Sequence, residues 1–360
     1  MALGIVAVAA CGRIDFDPGT DPTACRIALD PLILGLDSTI GVGADGSYYG
    51  MGANTGYPLS ITGMNYDVPT PLPALAGFQH VTLGVQMGTA IAPDGTLRDW
   101  GAGAVGIDQT SAATDWHGLQ TAWSWACATH SDASLWCWGD NYQGNLGDGT
   151  MNDSSIPLRI AIPPVASFSV GNYIACAIDT SGVLWCWGQN DHGQTANGAC
   201  CTATMTPTQI GTDTDWQQVS IGGPAVCARK TNDTLWCWGN GYYNGTVGDL
   251  HVPTLVGTRT DWIDVQVGFS LACATAADRT VWCFGDNTHG QLGLGTTSIP
   301  YEVAPTQVPL PGPVDSIQLG GEDACARISG QLWCWGHNAT GALGNGTFDN
   351  VLSPTTRCPM

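Results

Sequence analysis

Bulky apolar residues fall in short runs that alternate between two faces of a strand, and one such run recurs along the chain. It reads Leu135-Trp136-Cys137-Trp138-Gly139, then Leu184-Trp185-Cys186-Trp187-Gly188, Leu235-Trp236-Cys237-Trp238-Gly239, Val281-Trp282-Cys283-Phe284-Gly285 and Leu332-Trp333-Cys334-Trp335-Gly336. Leu and Cys share one face and the two aromatic residues share the other. Both faces are large and apolar, so each such sheet has to be buried between two neighbours, as in a stack of blades. A Cys-Ala pair precedes every run, at Cys127, Cys176, Cys227, Cys273 and Cys325. A two-residue turn at Ser329-Gly330 sets Ile328 opposite Gln331, Ala326 opposite Trp333 and Cys325 opposite Cys334. The other four copies have one residue more, and a three-residue loop keeps the same register. The spacing thus predicts five hairpins with opposed cysteines within disulfide reach: Cys127 with Cys137, Cys176 with Cys186, Cys227 with Cys237, Cys273 with Cys283 and Cys325 with Cys334.

Two degenerate copies precede these, aligned on Asp45-Gly46 before Tyr48-Tyr49-Gly50-Met51-Gly52 and on Asp94-Gly95 before Leu97-Arg98-Asp99-Trp100-Gly101. A further strand is readable before each hairpin, as in Trp216-Gln217-Gln218-Val219. Another follows each Gly-rich turn and begins near a Pro, as in Ile156-Pro157-Leu158. Seven copies of four strands predict an all-β, seven-bladed propeller over residues 30–358, with disulfide-stapled blades.

Most hairpins are followed by an Asn and a Gly-rich turn, which reads Asn-x-x-Gly-x-Leu-Gly in Asn141, Gly144, Leu146 and Gly147, and in Asn287, Gly290, Leu292 and Gly293. With the aromatic-x-Trp-Gly strand it resembles the regulator of chromosome condensation repeat family over nearly the whole chain, five copies strongly and two weakly. The resemblance implies a seven-bladed propeller. Paired cysteines depart from the cytosolic and nuclear members and are similar to bacterial secreted ones. The nucleotide-exchange and chromatin activities of the eukaryotic namesake do not carry over, because no basic tail is present and the net charge has the opposite sign.

Composition supports the strand reading: 49 Gly and 21 Pro stand against one Lys and two Glu, so few long helices are expected. A net charge of −20 excludes nucleic acid as a partner. No apolar stretch is long enough for a membrane-spanning helix. Val8-Ala9-Ala10-Cys11-Gly12 resembles the lipobox of bacterial lipoproteins, although no Lys or Arg precedes the apolar run. Residues 1–11 are therefore expected to be a signal segment, Cys11 the lipid-bearing residue and 12–29 a tether. The expected location is extracytoplasmic, as an envelope lipoprotein or a secreted protein, with membrane contact only through the lipid. Disulfide density fits that compartment. Of the remaining cysteines, Cys25 and Cys358 are expected to bond and latch the ring, with the tail from Pro354 supplying a strand to the first blade. The role of Cys200 and Cys201 stays open.

No Gly-x-Ser-x-Gly, His-Glu-x-x-His, phosphate loop or Cys-x-x-Cys occurs, so neither catalytic residue, metal ligand nor cofactor is expected. The seven His are spread over different copies and are expected to line loops. The resulting expectation is a monomeric, non-enzymatic binding propeller that meets a protein or glycan through loops on one face. Asn141, Asn190, Asn287 and Asn338 and the insert 195–204 are the candidate contacts. The alternative is a hydrolase or lyase whose site on the axis gathers Asp and His from several blades.

Overall fold

The computed structural model describes residues 32–34, 38–43, 46–54, 59, 65–101, 108–241 and 248–356. It contains seven four-stranded antiparallel sheets, each built from four strands consecutive in sequence. They span residues 32–71, 79–111, 116–159, 165–209, 216–255, 262–307 and 316–356. The first strands of successive sheets contact one another around a ring, and the first strand of the seventh sheet meets that of the first. This is the expected seven-bladed propeller.

The third blade shows how the sequence builds the unit. Its strands are Trp116–Ala122, Trp125–His130, Leu135–Gly139 and Ser154–Arg159. Strands two and three pair in the predicted register, with Cys127 opposite Cys137. Their Cα atoms are 4.1 Å apart and their sulfurs are at disulfide distance, as in the four other pairs. In the two degenerate copies Ile40 faces Gly50 and Thr89 faces Asp99 at the same places.

The two-faced strand does what its alternation requires. Ile174, Cys176, Leu184 and Cys186 of the fourth blade pack against Trp216, Val219, Ile221 and Trp238 of the fifth. Trp138, Trp187, Trp238 and Trp335 are fully buried in such junctions. Each buries on the order of 200 Å², which at roughly 25 cal/mol/Å² offsets about 5 kcal/mol of ordering cost. Their indole N–H groups also cross to the preceding blade: Trp187 donates to Asn145 O, Trp238 to Gln194 O and Trp335 to Gln291 O. Trp138, facing a weak copy, donates instead to the Asp99 carboxylate at 2.8 Å.

The Gly that ends every third strand is a backbone necessity. Gly139 has φ +104°, and a Cβ there would lie 2.4 Å from Ser124 O in the turn between strands one and two. Asp140 N–H donates to that same Ser124 oxygen. Only glycine permits this approach.

One expectation fails. The tail strand Val351–Thr356 pairs with the third strand of the seventh blade, Gln331–Gly336, and not with the first blade. Its pairing follows the pattern of every other fourth strand, so local continuity outweighs strand exchange across the seam. Cys11, Cys25, Cys358 and the segments 1–11 and 12–29 lie outside the described residues.

Candidate functional site

Strand direction divides the ring into two ends. At one, strand one turns into strand two, and strand three leaves on the long loop to strand four; we term this the loop end. At the other lie the tight turns between strands two and three and the connections between blades, the turn end.

The Asn-x-x-Gly loops all stand at the loop end, but their asparagines do not face outward. Asn141, Asn287 and Asn338 are 0% exposed and Asn190 is 1%. Asn141 Oδ1 accepts Leu146 N–H, while Nδ2 donates to the carbonyls of Thr150 and Asn152. Asn287 accepts Leu292 N–H and donates to Thr296 O and Ile299 O. Asn338 accepts Leu343 N–H and donates to Thr347 O, and Asn190 accepts Thr195 N–H and donates to Ala199 O. The four candidate loops are therefore held from within by these side chains, which do not themselves reach the surface. Each satisfies the backbone of a long loop, a task that an amide with both donor and acceptor performs and a solvated turn does not need. The loops also lie over the next blade: Gly149 N–H donates to Met205 O, Gly198 to His251 O, Gly295 to Leu352 O and Gly346 to Asp67 O. In the insert, Cys201 N–H donates to Asn190 O at 2.7 Å. The Cys200 and Cys201 sulfurs are at bonding distance, which closes the loop tip on itself.

What does face outward at the loop end is a funnel on the axis with an aromatic flank. Gly84, Gly171, Gly222, Gly223, Gly268, Gly320 and Gly321 line it, with Leu83, Ile221, Trp123 and Phe269 among the side chains. Among the described lining residues there is no carboxylate or imidazole. Trp123 stacks near Tyr173 at 6.0 Å, and Tyr142, 72% exposed, extends the group at 6.2 Å from Tyr173. Burial, and then the neighbouring Asp140 charge, push the Tyr173 phenol above its usual range.

Charge is sorted between the ends. Every described Lys and Arg, namely Arg98, Arg159, Arg229, Lys230, Arg259, Arg279 and Arg327, lies toward the turn end. There cations insert between the tryptophans of strands one and three. Lys230 Nζ lies 4.7 Å from the Trp216 ring centre and 5.1 Å from that of Trp236, and Asp213 and Asp215 hold it at 2.5 and 3.0 Å. Burial opposes its charge, but the two carboxylates prevail and raise its pKa. Arg259 sits likewise over Trp262 and Trp282, and His130 against Trp116. The loop end carries Asp140, Asp148, Asp153, Asp191, Asp249, Asp286 and Glu322 with no described Lys or Arg. Sequence reasoning missed this sorting, although the signal was present: each basic residue is near a hairpin turn or a blade connection.

Nor are the histidines merely scattered. His192 Nδ1 meets Asp249 Oδ2 at 2.9 Å across the junction of the fourth and fifth blades. His289 and His337, from different copies, come within 4.7 Å of each other between ring centres.

The class is a repeat propeller: models of the regulator of chromosome condensation (RCC1) repeat match residues 132–178, 278–326 and 329–357, and a second model of that repeat matches 165–194 and 262–291. The chain thus carries RCC1 repeats at these positions. No curated protein matches it by sequence. Among solved structures it is similar to Prp20p of Saccharomyces cerevisiae, studied for its binding to Gsp1p and histones, at TM-score 0.76 and 14% identity over 93% of this chain and 88% of that one. Yeast RCC1 (Prp20) bound by Kap60 gives 0.75 and 14% over 93% and 86%. Human WBSCR16 gives 0.72 and 16% over 87% and 93%.

Proposed function

We propose that the protein is a non-enzymatic binding propeller, held outside the cytoplasm by a lipid on Cys11, that engages a cationic protein surface with its loop end. The observation that carries this reading is the charge sorting: carboxylates without a described Lys or Arg surround an aromatic group, the exposed Tyr142 with the half-buried Tyr173 and Trp123, beside the axial funnel. Aromatic anchors inside a ring of one charge supply packing and steering to a partner of the other charge. The binding of Gsp1p and histones by Prp20p supports a protein ligand over a glycan. The paired cysteines support an oxidising compartment.

Affinity capture from the producing cell's own envelope tests the reading. The parent should retain a basic protein at low salt and release it at high salt, and Tyr142→Ala with Tyr173→Ala should lose it. Retention that ignores both salt and the tyrosines, or that follows a sugar instead of a protein, overturns it. Mass spectrometry of the membrane fraction should find a modified Cys11 at the mature N-terminus; an intact Met1 in the cytosol would remove the location.

A further inference from the structure

The geometry points to a divalent transition-metal site of the zinc class, formed by His289, Glu322 and His337 at the junction of the sixth and seventh blades. One ligand atom from each lies within 4.8 Å of the others. Both imidazoles turn Nδ1 toward the same Glu322 Oε2, at 3.2 Å from His289 and 3.8 Å from His337. Zinc bonds of about 2.0–2.1 Å to N and O put the edge of a tetrahedral ligand set at roughly 3.3 Å. The first distance already fits, the second is longer at 3.8 Å, and the imidazole-to-imidazole edge lies within 4.8 Å, so side-chain rotation has to close the last two.

The backbone of the site is fixed before any ion arrives. His337 N–H donates to Glu322 O at 2.9 Å, which holds the third-strand exit against the turn that carries Glu322. His289 N–H donates to Gln291 Oε1 at 2.9 Å, and Gln291 Nε2 bonds Ser270 Oγ. All three side chains are partly exposed, between 22% and 41%, so an ion has access.

Comparison of the blades shows that the fold alone does not produce this group. Where the seventh blade has Glu322 accepting from His337, the third has Ser124 and Asp140, the fourth Tyr173 and Gln189, the fifth Pro224 and Asn240, and the sixth Ser270 and Asp286. Among the described residues, this junction is the one whose two imidazoles and carboxylate bring their ligand atoms within 4.8 Å of one another. Two nitrogens and one oxygen select zinc, copper, nickel or cobalt over calcium and magnesium, which prefer oxygen throughout. A fourth position remains for water or for a group from outside. No metal ligand was legible in the sequence, because His289 belongs to one copy and Glu322 and His337 to the next, and no short motif joins them.

Calorimetric titration of the full chain, stripped with chelator, against zinc chloride tests the site. One zinc per chain is expected, and Glu322→Gln, His289→Ala and His337→Ala should each weaken it at least tenfold. His192→Ala should leave it unchanged, since His192 stands at a different junction. Cobalt should show tetrahedral visible absorption in the parent that the three variants lose. Absence of stoichiometric zinc binding overturns the site, as does binding that survives in the triple variant, which would locate the ion on the carboxylate-rich surface instead.

Discussion

Asp99 stands where the five strong copies carry the second cysteine, opposite Thr89. Burial pushes its carboxyl above the usual range despite hydrogen bonds from Thr110 and Trp138. A raised folded-state value makes this group's stabilisation complete below the unfolded carboxylate range, about 3.9, and lost as pH rises through the folded value. Asp99→Asn is therefore expected to melt higher than the parent at neutral pH and to match it in acid, and thermal melts at both pH values check this. The turn-end carboxylates behave oppositely. Hydrogen bonds from Thr96, Ser134 and Thr280 hold Asp94, Asp132 and Asp278 below their usual range, so their contribution is present above the unfolded range and disappears on acidification through the folded values. At the cysteines, non-reducing peptide mapping should link each of the five opposed pairs and none between blades. In the chain-entropy model each such loop contributes roughly 2–3 kcal/mol, and a link between blades would contradict the register.

At the level of elements, the long third-to-fourth-strand loop is a structure in its own right. One buried amide gathers it, and its glycines lie on the neighbouring outer strand. Asn287→Ala removes an acceptor and two donated bonds at once and should cost about 2–3 kcal/mol, with the sixth blade's loop cut first in limited proteolysis. An unchanged melting curve would mean that the loop is held by its glycines alone. The hairpins were legible in the sequence because a cross-strand register depends only on turn length, which Ser329-Gly330 and its longer counterparts display. The weak copies were legible through Asp45-Gly46 and Asp94-Gly95. Burial of Asn141 and its equivalents was not, because turn chemistry gives no sign that a loop folds over the next blade. The approach of His289 to Glu322 and His337 was hidden for a similar reason: it arises when two blades stack, and stacking distance is not written into any one repeat. The tail strand was misplaced because a fourth strand reads alike whichever blade receives it.

For the whole molecule, the decisive feature is that, among the described residues, each blade at the seam is built from its own four consecutive strands. The seam is held by side chains and loop contacts: Tyr49 and Met51 pack on Cys325, Cys334 and Leu343, Thr39 Oγ1 donates to Ala342 O, and Gly346 N–H donates to Asp67 O. A Cys25 to Cys358 bond, which we propose as a latch, would close nearly the entire chain, worth on the order of 5 kcal/mol in the entropy model. Replacing both by Ser should lower the thermal midpoint and open the first blade to protease while later blades stay protected; a double variant that melts like the parent leaves the ring closed by packing alone. The confinement of Lys and Arg to the turn end, where they offset neighbouring carboxylates while those of the loop end stand without them, acts at longer range than any of these contacts. It gives the ring an electric dipole parallel to its axis, so an anionic surface exerts a torque that turns the loop end away from it. Because this torque decays over about 10 Å at 0.1 M salt, it acts only close to such a surface. A chain tethered to a bilayer of anionic headgroups would therefore be oriented by its own field, with its loops presented to the surrounding medium before any ligand arrives.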